Sequence, residues 1–178
     1  MDKRILIIGS SVRQEESRSN LLVDSIKSTA DTIGAQTRDW KLGYEPLPPA
    51  QHDWHKNPSL SNDKNVVGFA EEVSAADIIV IVTPIYNGSY TGVLKNALDC
   101  MLGDAFSGKQ VVLVGFGSGA TATIPCLHLQ DVARTMGAQV YHRFIVAMSS
   151  DIDFAQRTVS DAIQTRVNEV LIGVLNEV

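Results

Sequence analysis

The sequence predicts an α/β protein of three layers, in which a parallel β-sheet lies between two layers of helices. Three runs, at 4–9, 77–82 and 110–117, are continuously apolar and rich in β-branched residues, which is typical of strands covered on both faces. Segments with apolar residues at helical spacing lie between these runs. Strands that alternate with helices imply right-handed crossovers, and therefore one parallel sheet.

Five strands are predicted in chain order. The strong patterns are RILIIG (4–9), DIIVIV (77–82) and QVVLVGFG (110–117), and the weaker ones are AQTRDWKL (35–42) and AQVYHRFIV (138–146). Because 178 residues are few for a six-stranded dinucleotide-binding fold, the sequence favours a five-stranded, flavodoxin-like sheet of order 2-1-3-4-5.

Five helices are predicted between and after these strands. They are SNLLVDSIKSTADTI (19–33), KNVVGFAEEVSAA (64–76), TGVLKNALDCML (91–102), ATIPCLHLQDVARTMG (122–137) and FAQRTVSDAIQTRVNEVLIGVL (154–175). Gly34 and Gly137 stand where glycines commonly end helices. The stretch 42–63 is long, irregular and rich in proline, so we expect a loop that serves as a lid or as an oligomer contact.

Composition restricts the class of function. We expect residues 1–178 to form one domain. A formal net charge of -5 and a pI near 5.3 argue against nucleic acid or an anionic membrane as a partner. Cys100 and Cys126 form no CxxC pair and no metal-ligand pattern, so we expect buried thiols and no metal site. No apolar run has the length of a signal peptide or a membrane span, which predicts a cytoplasmic protein.

Polar loops containing glycine follow the first, third and fourth strands. They are GSSVRQEESRSN (9–20), TPIYNGSYTG (83–92) and GFGSGAT (115–121). The carboxyl ends of parallel strands share one edge of the sheet, and ligands of such sheets bind at that edge where the strand order reverses. The sequence therefore predicts one small-molecule site built from these three loops.

The loop after the first strand is suited to a phosphate. Free backbone N–H groups at a helix N-terminus, neighbouring hydroxyls and the helix dipole attract a dianion, and arginine adds charge-assisted hydrogen bonds. The predicted phosphate ligands are Ser10, Arg13, Ser17, Arg18, Ser19 and Asn20. The alternative is that Ser17 or Ser19 only caps the helix while both arginines are solvated.

The other two loops are suited to a planar ring. Pro84 stiffens the exit from the third strand, Tyr86 offers a flat apolar face, and Gly88 lets the backbone approach a ring closely. Backbone N–H groups at 117–119 can bind a polar ring edge. A phosphate site and a ring site on one edge together indicate flavin mononucleotide (FMN). The alternative is that Tyr86 and Tyr90 pack in an oligomer interface.

Two motifs resemble those of the NAD(P)H-dependent FMN reductases, a family with a flavodoxin-like fold. The family carries GSxRxxS before its first helix, matched here by GSSVR (9–13) with Ser17, and TPxYNGSxxGxLKNxLD, matched from Thr83 to Asp99. The resemblance extends from Lys3 to about Val146, although Glu15 and Glu16 lengthen the first motif. It implies that FMN contacts Pro84, Ile85, Tyr86, Asn87, Gly88, Gly117, Ser118 and Gly119 in addition to the phosphate ligands.

The sequence SYTGVLKNALD resembles the corresponding motif of the sulfonate-associated subgroup of these reductases. In that subgroup flavin can act as a substrate. In that subgroup a tyrosine lies near a helix insertion at a tetramer interface, which makes Tyr90 a candidate modulator of flavin binding. The resemblance also implies a homodimer or homotetramer. A flavin-dependent monooxygenase is the partner that it implies for reduced flavin.

The implied reaction is hydride transfer from NADPH or NADH to FMN, which the cofactors perform once they are stacked. No side chain is predicted to be catalytic, and surface or structural roles are expected for the histidines His52, His55, His128 and His142. Free FMN is the preferred acceptor, and a quinone, an azo compound or chromate is the alternative. The alternative of another class is a non-enzymatic, flavodoxin-like electron carrier.

Overall fold

A computed structural model describes residues 3–178, so the first two residues of the N-terminal stretch lie outside the described residues. The elements in chain order are β1 (Arg4–Gly9), α1 (Arg18–Thr32), β2 (Gln36–Lys41), α2 (Lys64–Ala75), β3 (Ile78–Pro84), α3 (Gly92–Asp99), β4 (Gln110–Gly117), α4 (Ile124–Thr135), β5 (Gln139–Val140), β6 (Ile145–Met148), β7 (Ile152–Asp153), β8 (Thr158–Val159) and α5 (Asp161–Leu175). Within residues 3–178, none of the helices has the length and apolarity needed to cross a membrane.

The main sheet has the order β2-β1-β3-β4-β5, and every pairing in it is parallel. This confirms the predicted flavodoxin-like order. The fifth position differs from the prediction of one strand at 138–146, because two short strands occupy it and both pair with β4. Residues 141–144 lie between them outside any strand, and there the Tyr141 side chain packs into the apolar core shared with α5.

Side chains that alternate along the strands build one apolar core on each face of the sheet. Ile5 and Ile7 of β1 pack with α1 and α5, whereas Leu6 and Ile8 pack with α2, α3 and α4. All four side chains are at most 1% exposed. A strand buried on both faces needs apolar residues at every position, which is why β1 was recognisable as a continuous apolar run.

The predicted helix 154–175 is wrong over its first turns. The helix α5 begins at Asp161, where the hydroxyl of Ser160 caps it, and the preceding residues form the antiparallel hairpin β7–β8. The carboxylate of Asp151 accepts hydrogen bonds from the N–H of Met148 at 2.7 Å and from the Ser160 hydroxyl at 3.2 Å. These local bonds stabilise a turn that the helical spacing of the apolar residues did not reveal.

The segment 42–63 is attached to α3 through one side chain of the LKNALD motif. Nδ2 of Asn96 donates to the carbonyls of Leu47 at 3.3 Å and Pro48 at 2.9 Å, and Oδ1 of Asn96 accepts the N–H of Ala50 at 2.9 Å. These contacts favour a fixed wall beside α3 over a mobile lid.

Candidate functional site

The loop after β1 leads into a helix N-terminus that is buried and carries no acidic side chain. Oγ of Ser17 accepts the N–H of Asn20 at 3.2 Å and lies 3.0 Å from Oγ of Ser19. Both serines are buried, and the first turn of α1 contains no acidic residue, so no carboxylate there neutralises the positive end of the helix dipole. The cap by Ser17 is therefore present, and it is compatible with an anion site.

Asn20 shapes this loop. Its Nδ2 donates to the carbonyl of Gln14 at 2.9 Å and to that of Arg13 at 3.4 Å. Nε2 of Gln14 donates in turn to the carbonyl of Gly43 at 2.9 Å. The side-chain amide donors of Asn20 thus bind backbone carbonyls and hold the loop together. The phosphate contact expected for Asn20 from the sequence stays a prediction.

Two buried side-chain oxygens in the described residues have no hydrogen-bond partner, Oγ of Ser10 and Oδ1 of Asn20. Ser10 follows β1 directly, is fully buried, and donates its backbone N–H to the carbonyl of Val82 at 2.9 Å. A buried hydroxyl without a partner costs about 1–3 kcal/mol. A phosphate oxygen beside Ser10 would accept this hydroxyl, so the residues present fit the phosphate end of FMN.

Both arginines of the loop are exposed, and neither pairs with a carboxylate in the described part of the chain. The guanidinium carbon of Arg18 lies 5.9 Å from the centre of the Phe154 ring. Glu16 lines the same cavity as Arg13 and Arg18, so cationic side chains outnumber the anionic one in a chain whose net charge is -5. The arginines therefore remain available to anionic ligands.

The loop after β3 contains a two-residue hairpin turn. The N–H of Tyr86 donates to the carbonyl of Ser89 at 2.9 Å, and the N–H of Ser89 donates back at 3.1 Å. The φ angles of Asn87 and Gly88 are 48° and 81°, and positive φ at both central residues is typical of the type I′ turn that Asn-Gly favours. Oγ of Ser89 lies 2.8 Å from Nδ1 of His128 on α4. Asn87 and Gly88 thus shape the turn that carries Tyr86.

The loop after β4 passes very close to the end of its own strand. A Cβ at Gly115 would lie 2.0 Å from the carbonyl oxygen of Ala122. This first glycine of the GFGSGA motif therefore serves packing, because no side chain fits between the strand and the returning chain. The close return leaves Gly117 and Ser118 on the cavity wall.

One cavity of about 600 Å³ joins the three loops. The predicted residues that line it are Arg13, Ser17, Arg18, Ser19, Pro84, Ile85, Tyr86, Gly117 and Ser118. The predicted residues that do not line it are Ser10, Asn20, Asn87, Gly88 and Gly119. Of these five, Ser10 is fully buried at the end of β1, Asn20 holds the following loop together, and Asn87 with Gly88 forms the turn after β3.

The sequence predictions missed part of the cavity wall. The additional lining residues are Ser11, Glu16, Phe116, Ser149 and Phe154. Ser149 and Phe154 come after the fifth strand position, whose carboxyl end lies at the same edge as those of β1, β3 and β4. Neither residue belongs to a recognisable motif. They could have been predicted only from the rule that the loops at the carboxyl ends of all parallel strands share one edge of the sheet.

The two cysteines are unsuited to nucleophilic chemistry. Both are buried, as predicted, and desolvation raises the pKa of the Cys100 thiol to about 11 and that of the Cys126 thiol to about 12. Thiols with such pKa values stay protonated near neutral pH. Within residues 3–178, no group of three or more His, Cys, Asp or Glu side chains is arranged to hold a metal ion.

A second cavity, of about 460 Å³, lies between α2 and the segment 101–109. Its cationic side chain is Lys109, whose Nζ donates to the carbonyls of Ser74 at 3.0 Å and Ala76 at 2.6 Å. Lys109 is therefore engaged at the end of α2, and burial lowers its pKa. We assign the functional site to the larger cavity, where two cations without a carboxylate partner in the described residues lie beside the buried serines at the N-terminus of α1.

The strand order and the placement of the cavity at the carboxyl edge are those of the flavodoxin-like fold. A family model described as NADPH-dependent FMN reductase matches residues 3–153 of the sequence. The chain belongs to this family. It is accordingly an NAD(P)H-dependent flavin oxidoreductase that uses FMN, as the two motifs implied.

Similar proteins agree with this family. An FMN-dependent NADPH-azoreductase of Staphylococcus haemolyticus (strain JCSC1435) is 35% identical over 136 residues, which cover 75% of this chain and 70% of the relative. A protein of the same description from Staphylococcus aureus (strain USA300) is 34% identical over 136 residues, with the same shares covered.

Solved structures share the fold. An NADH:FMN oxidoreductase in its apo form has a TM-score of 0.78 at 21% identity, covering 99% of this chain and 90% of that one. The flavoenzyme NAD(P)H:(acceptor) oxidoreductase of Paracoccus denitrificans has a TM-score of 0.75 at 19% identity, covering 98% of each chain.

Proposed function

We propose that the cavity of about 600 Å³ holds FMN, with the phosphate in the loop after β1 and the ring along the turn of Tyr86. The observation that carries this proposal is that the buried serines Ser17 and Ser19, at the N-terminus of α1, line this cavity together with two arginines that have no carboxylate partner in the described residues. Ser10, Ser17, Ser19 and Arg13 would bind the phosphate together with the N-terminus of α1. Pro84, Ile85 and Tyr86 would line the ribityl chain and the ring, and the N–H groups of Gly117, Ser118 and Gly119 would meet the polar ring edge.

When bound, FMN supplies the redox chemistry: it accepts a hydride from the nicotinamide of NADPH or NADH and passes two electrons to an acceptor. The protein binds and orients the reactants. The serines and the helix N-terminus fix the phosphate end, and the type I′ turn holds Tyr86 as a flat wall. Backbone N–H groups near Gly117 stabilise negative charge at the ring edge. Hydride transfer requires no proton from a side chain, so no residue is assigned as a general acid or base.

Free FMN is our first candidate for the substrate that is reduced. This choice follows from the family and from the sequence motif around Tyr90. In the structure Tyr90 lies before the N-cap Thr91 and packs against the core on the α2–α4 side, and α3 is regular from Gly92 to Asp99. The support for free flavin therefore comes from the family and the motif rather than from an insertion in α3.

An azo compound, reduced through bound FMN, is the second candidate. The curated relatives at 34% and 35% identity, which are described as azoreductases, favour it. A planar aromatic acceptor also suits a cavity whose wall includes Tyr86, Phe116 and Phe154. Quinones share this planar chemistry, whereas chromate does not.

Purification followed by a nicotinamide assay tests these candidates. We would record whether flavin co-purifies, then follow oxidation of NADPH and NADH with free FMN, with an azo dye and with a quinone. Oxidation that saturates with free FMN, in protein that retains little flavin, supports the first candidate. Tightly held flavin with turnover only on addition of dye or quinone supports the second. Flavin binding without nicotinamide oxidation by any route would instead favour the electron carrier.

We also propose that residues 1–178 form a single domain, which assembles as a homodimer or homotetramer in the cytoplasm. A groove between α3 and α4 supports assembly, because Leu98, Leu102, Val132 and Met136 line it and Leu102 is 40% exposed. Sedimentation of the purified protein tests the assembly.

Reduced flavin released by such an oligomer would serve a flavin-dependent monooxygenase. An assay that couples the two enzymes and measures oxygenation of the monooxygenase substrate detects this transfer.

A further inference from the structure

Arg18 and Phe154 meet at the cavity that we assign to FMN, although they come from α1 and from the hairpin β7–β8. We propose that Arg18, held in place by Phe154, binds the 2′-phosphate of NADPH and thereby selects NADPH over NADH. The proposal rests on the proposed function, because it requires the nicotinamide cofactor to enter the FMN cavity. It moves Arg18 from the FMN phosphate, where the sequence placed it, to a second phosphate.

The location of Arg18 separates it from the buried phosphate site. Its neighbours Ser17 and Ser19 are 4% and 3% exposed, whereas Arg18 is exposed. Side chains of consecutive helical residues point about 100° apart, so a residue between two buried serines projects toward solvent. The guanidinium of Arg18 therefore lies at the mouth of the cavity, over the ring of Phe154.

The contact with Phe154 restrains the Arg18 side chain in a position where it can bind a phosphate. A distance of 5.9 Å from guanidinium to ring centre is within the range of a cation–π contact. Such a contact restrains a flexible side chain and leaves the N–H groups at the edge of the guanidinium free, so less entropy is lost when a phosphate binds. Asp151 fixes the start of the hairpin by accepting bonds from Met148 and Ser160. The ring is therefore carried by an ordered element.

The number of cationic side chains needed to bind two phosphate groups also favours Arg18 as a ligand. FMN and NADPH each bring a phosphate monoester, and the cationic side chains that line the described cavity are Arg13 and Arg18. The FMN phosphate already has buried hydroxyls, a helix N-terminus and Arg13. Arg18 has no carboxylate partner in the described residues, so no internal ion pair must break before it binds a second phosphate.

Binding of two adenosine probes to the FMN-loaded protein tests the proposal without turnover. Calorimetry compares adenosine 2′,5′-bisphosphate with 5′-AMP for wild type, Arg18→Gln, Phe154→Leu and a control, Arg157→Gln. Arg157 is an exposed arginine of the same hairpin that does not line the cavity. We expect Arg18→Gln to weaken the bisphosphate about tenfold or more relative to 5′-AMP, as loss of a charge-assisted bond predicts. Phe154→Leu should cause a smaller loss of the same preference, and Arg157→Gln none.

Kinetics with both nicotinamides give a second readout. The ratio of kcat/KM for NADPH to that for NADH should fall in Arg18→Gln by a factor similar to the loss of bisphosphate binding. A ratio that stays constant, or a weaker Kd for FMN as the only effect, would overturn the proposal and return Arg18 to the FMN phosphate. Wild-type protein that binds no FMN and oxidises no nicotinamide would overturn the proposed function as well.

Discussion

A single buried hydroxyl, that of Ser10, is expected to affect the empty and the FMN-loaded protein in opposite directions. In the empty protein Oγ has no partner, so Ser10→Ala should leave the free energy of unfolding unchanged or raise it by about 1 kcal/mol. In the loaded protein the same change removes a hydrogen bond to a phosphate, so the Kd for FMN should rise about tenfold. Urea unfolding without flavin and flavin fluorescence titration measure the two effects.

Ser61 is the matched control for Ser10. Like Ser10 it is buried and is not a lining residue of the cavity, but it is remote from the loop after β1 in sequence and its Oγ accepts the N–H of Asp63 at 3.1 Å. Ser61→Ala should therefore lower the stability of the empty protein by about 1 kcal/mol and leave the Kd for FMN unchanged. If Ser10→Ala behaves like Ser61→Ala, the Ser10 hydroxyl is not a phosphate ligand.

At the scale of elements, one hydrogen bond joins the turn after β3 to the helix α4. Removing the bond between Ser89 and His128 should loosen the turn that carries Tyr86, so we expect FMN to dissociate about threefold faster from His128→Ala. His128→Asn, whose amide occupies the place of Nδ1, should keep the wild-type rate. Stopped-flow displacement of FMN measures these rates.

A double-variant cycle makes the same test specific to the pair. Ser89→Ala should match His128→Ala, and the combined variant should dissociate no faster than either alone, because both changes remove one shared interaction. Effects that multiply in the combined variant would mean that the two side chains act on FMN independently.

The return of the chain after β4 leads to a prediction about Gly115. The methyl group of Gly115→Ala would meet the carbonyl oxygen of Ala122, which belongs to the backbone and cannot rotate away. We expect a loss of about 3 kcal/mol in the free energy of unfolding, measured with urea. Gly103→Ala is the control, because no atom lies within 4 Å of a Cβ at that position. Similar stabilities of the two variants would contradict the close contact.

For the molecule as a whole, the buried thiols predict a loss of stability at alkaline pH. Burial raises the pKa of Cys126 from 9.0 to about 12, so above pH 9.0 the unfolded state loses a proton that the folded state keeps. The folded protein then binds more protons, and its stability falls as the pH rises from 9.0 to about 12. Below this window the thiol contributes no pH dependence.

The variant Cys126→Ala isolates this effect from other alkaline titrations. We expect the difference in unfolding free energy between wild type and Cys126→Ala to be constant below pH 9.0 and to shrink above it, because only the wild type has the thiol. Urea unfolding over a pH series measures the difference. A difference that stays constant above pH 9.0 would show that burial does not raise the pKa of this thiol.

Sequence predicted the parts of the molecule that local physics determines. A strand covered on both faces needs continuous apolar residues, so β1 and β4 had the predicted bounds. A phosphate loop and an Asn-Gly turn need particular residues at particular spacings, so Ser17 and Tyr86 were predicted at the cavity that they line. These predictions depended on contacts between near neighbours in the chain.

The remaining features depend on contacts distant in sequence. The apolar residues of 154–160 have helical spacing, but Asp151 and Ser160 bind each other and stabilise a hairpin instead. Phe154 reaches the cavity only because this hairpin lies beside α1, and Asn20 clamps a loop whose path the spacing of motifs does not specify. Such tertiary bonds have no periodic signature, which is why these roles were not predicted.

The interruption of the fifth strand position has a consequence for local opening of the native state. Backbone amides in 142–144 belong to no strand, whereas the N–H of Tyr141 donates to the carbonyl of Val111 at 2.9 Å and the amides of β1, β3 and β4 lie inside the ladder. Hydrogen exchange should therefore be fast in this edge segment and slow in the central strands. Because β6 pairs with β4 between this segment and the hairpin, local opening there should leave the wall residues Ser149 and Phe154 in place.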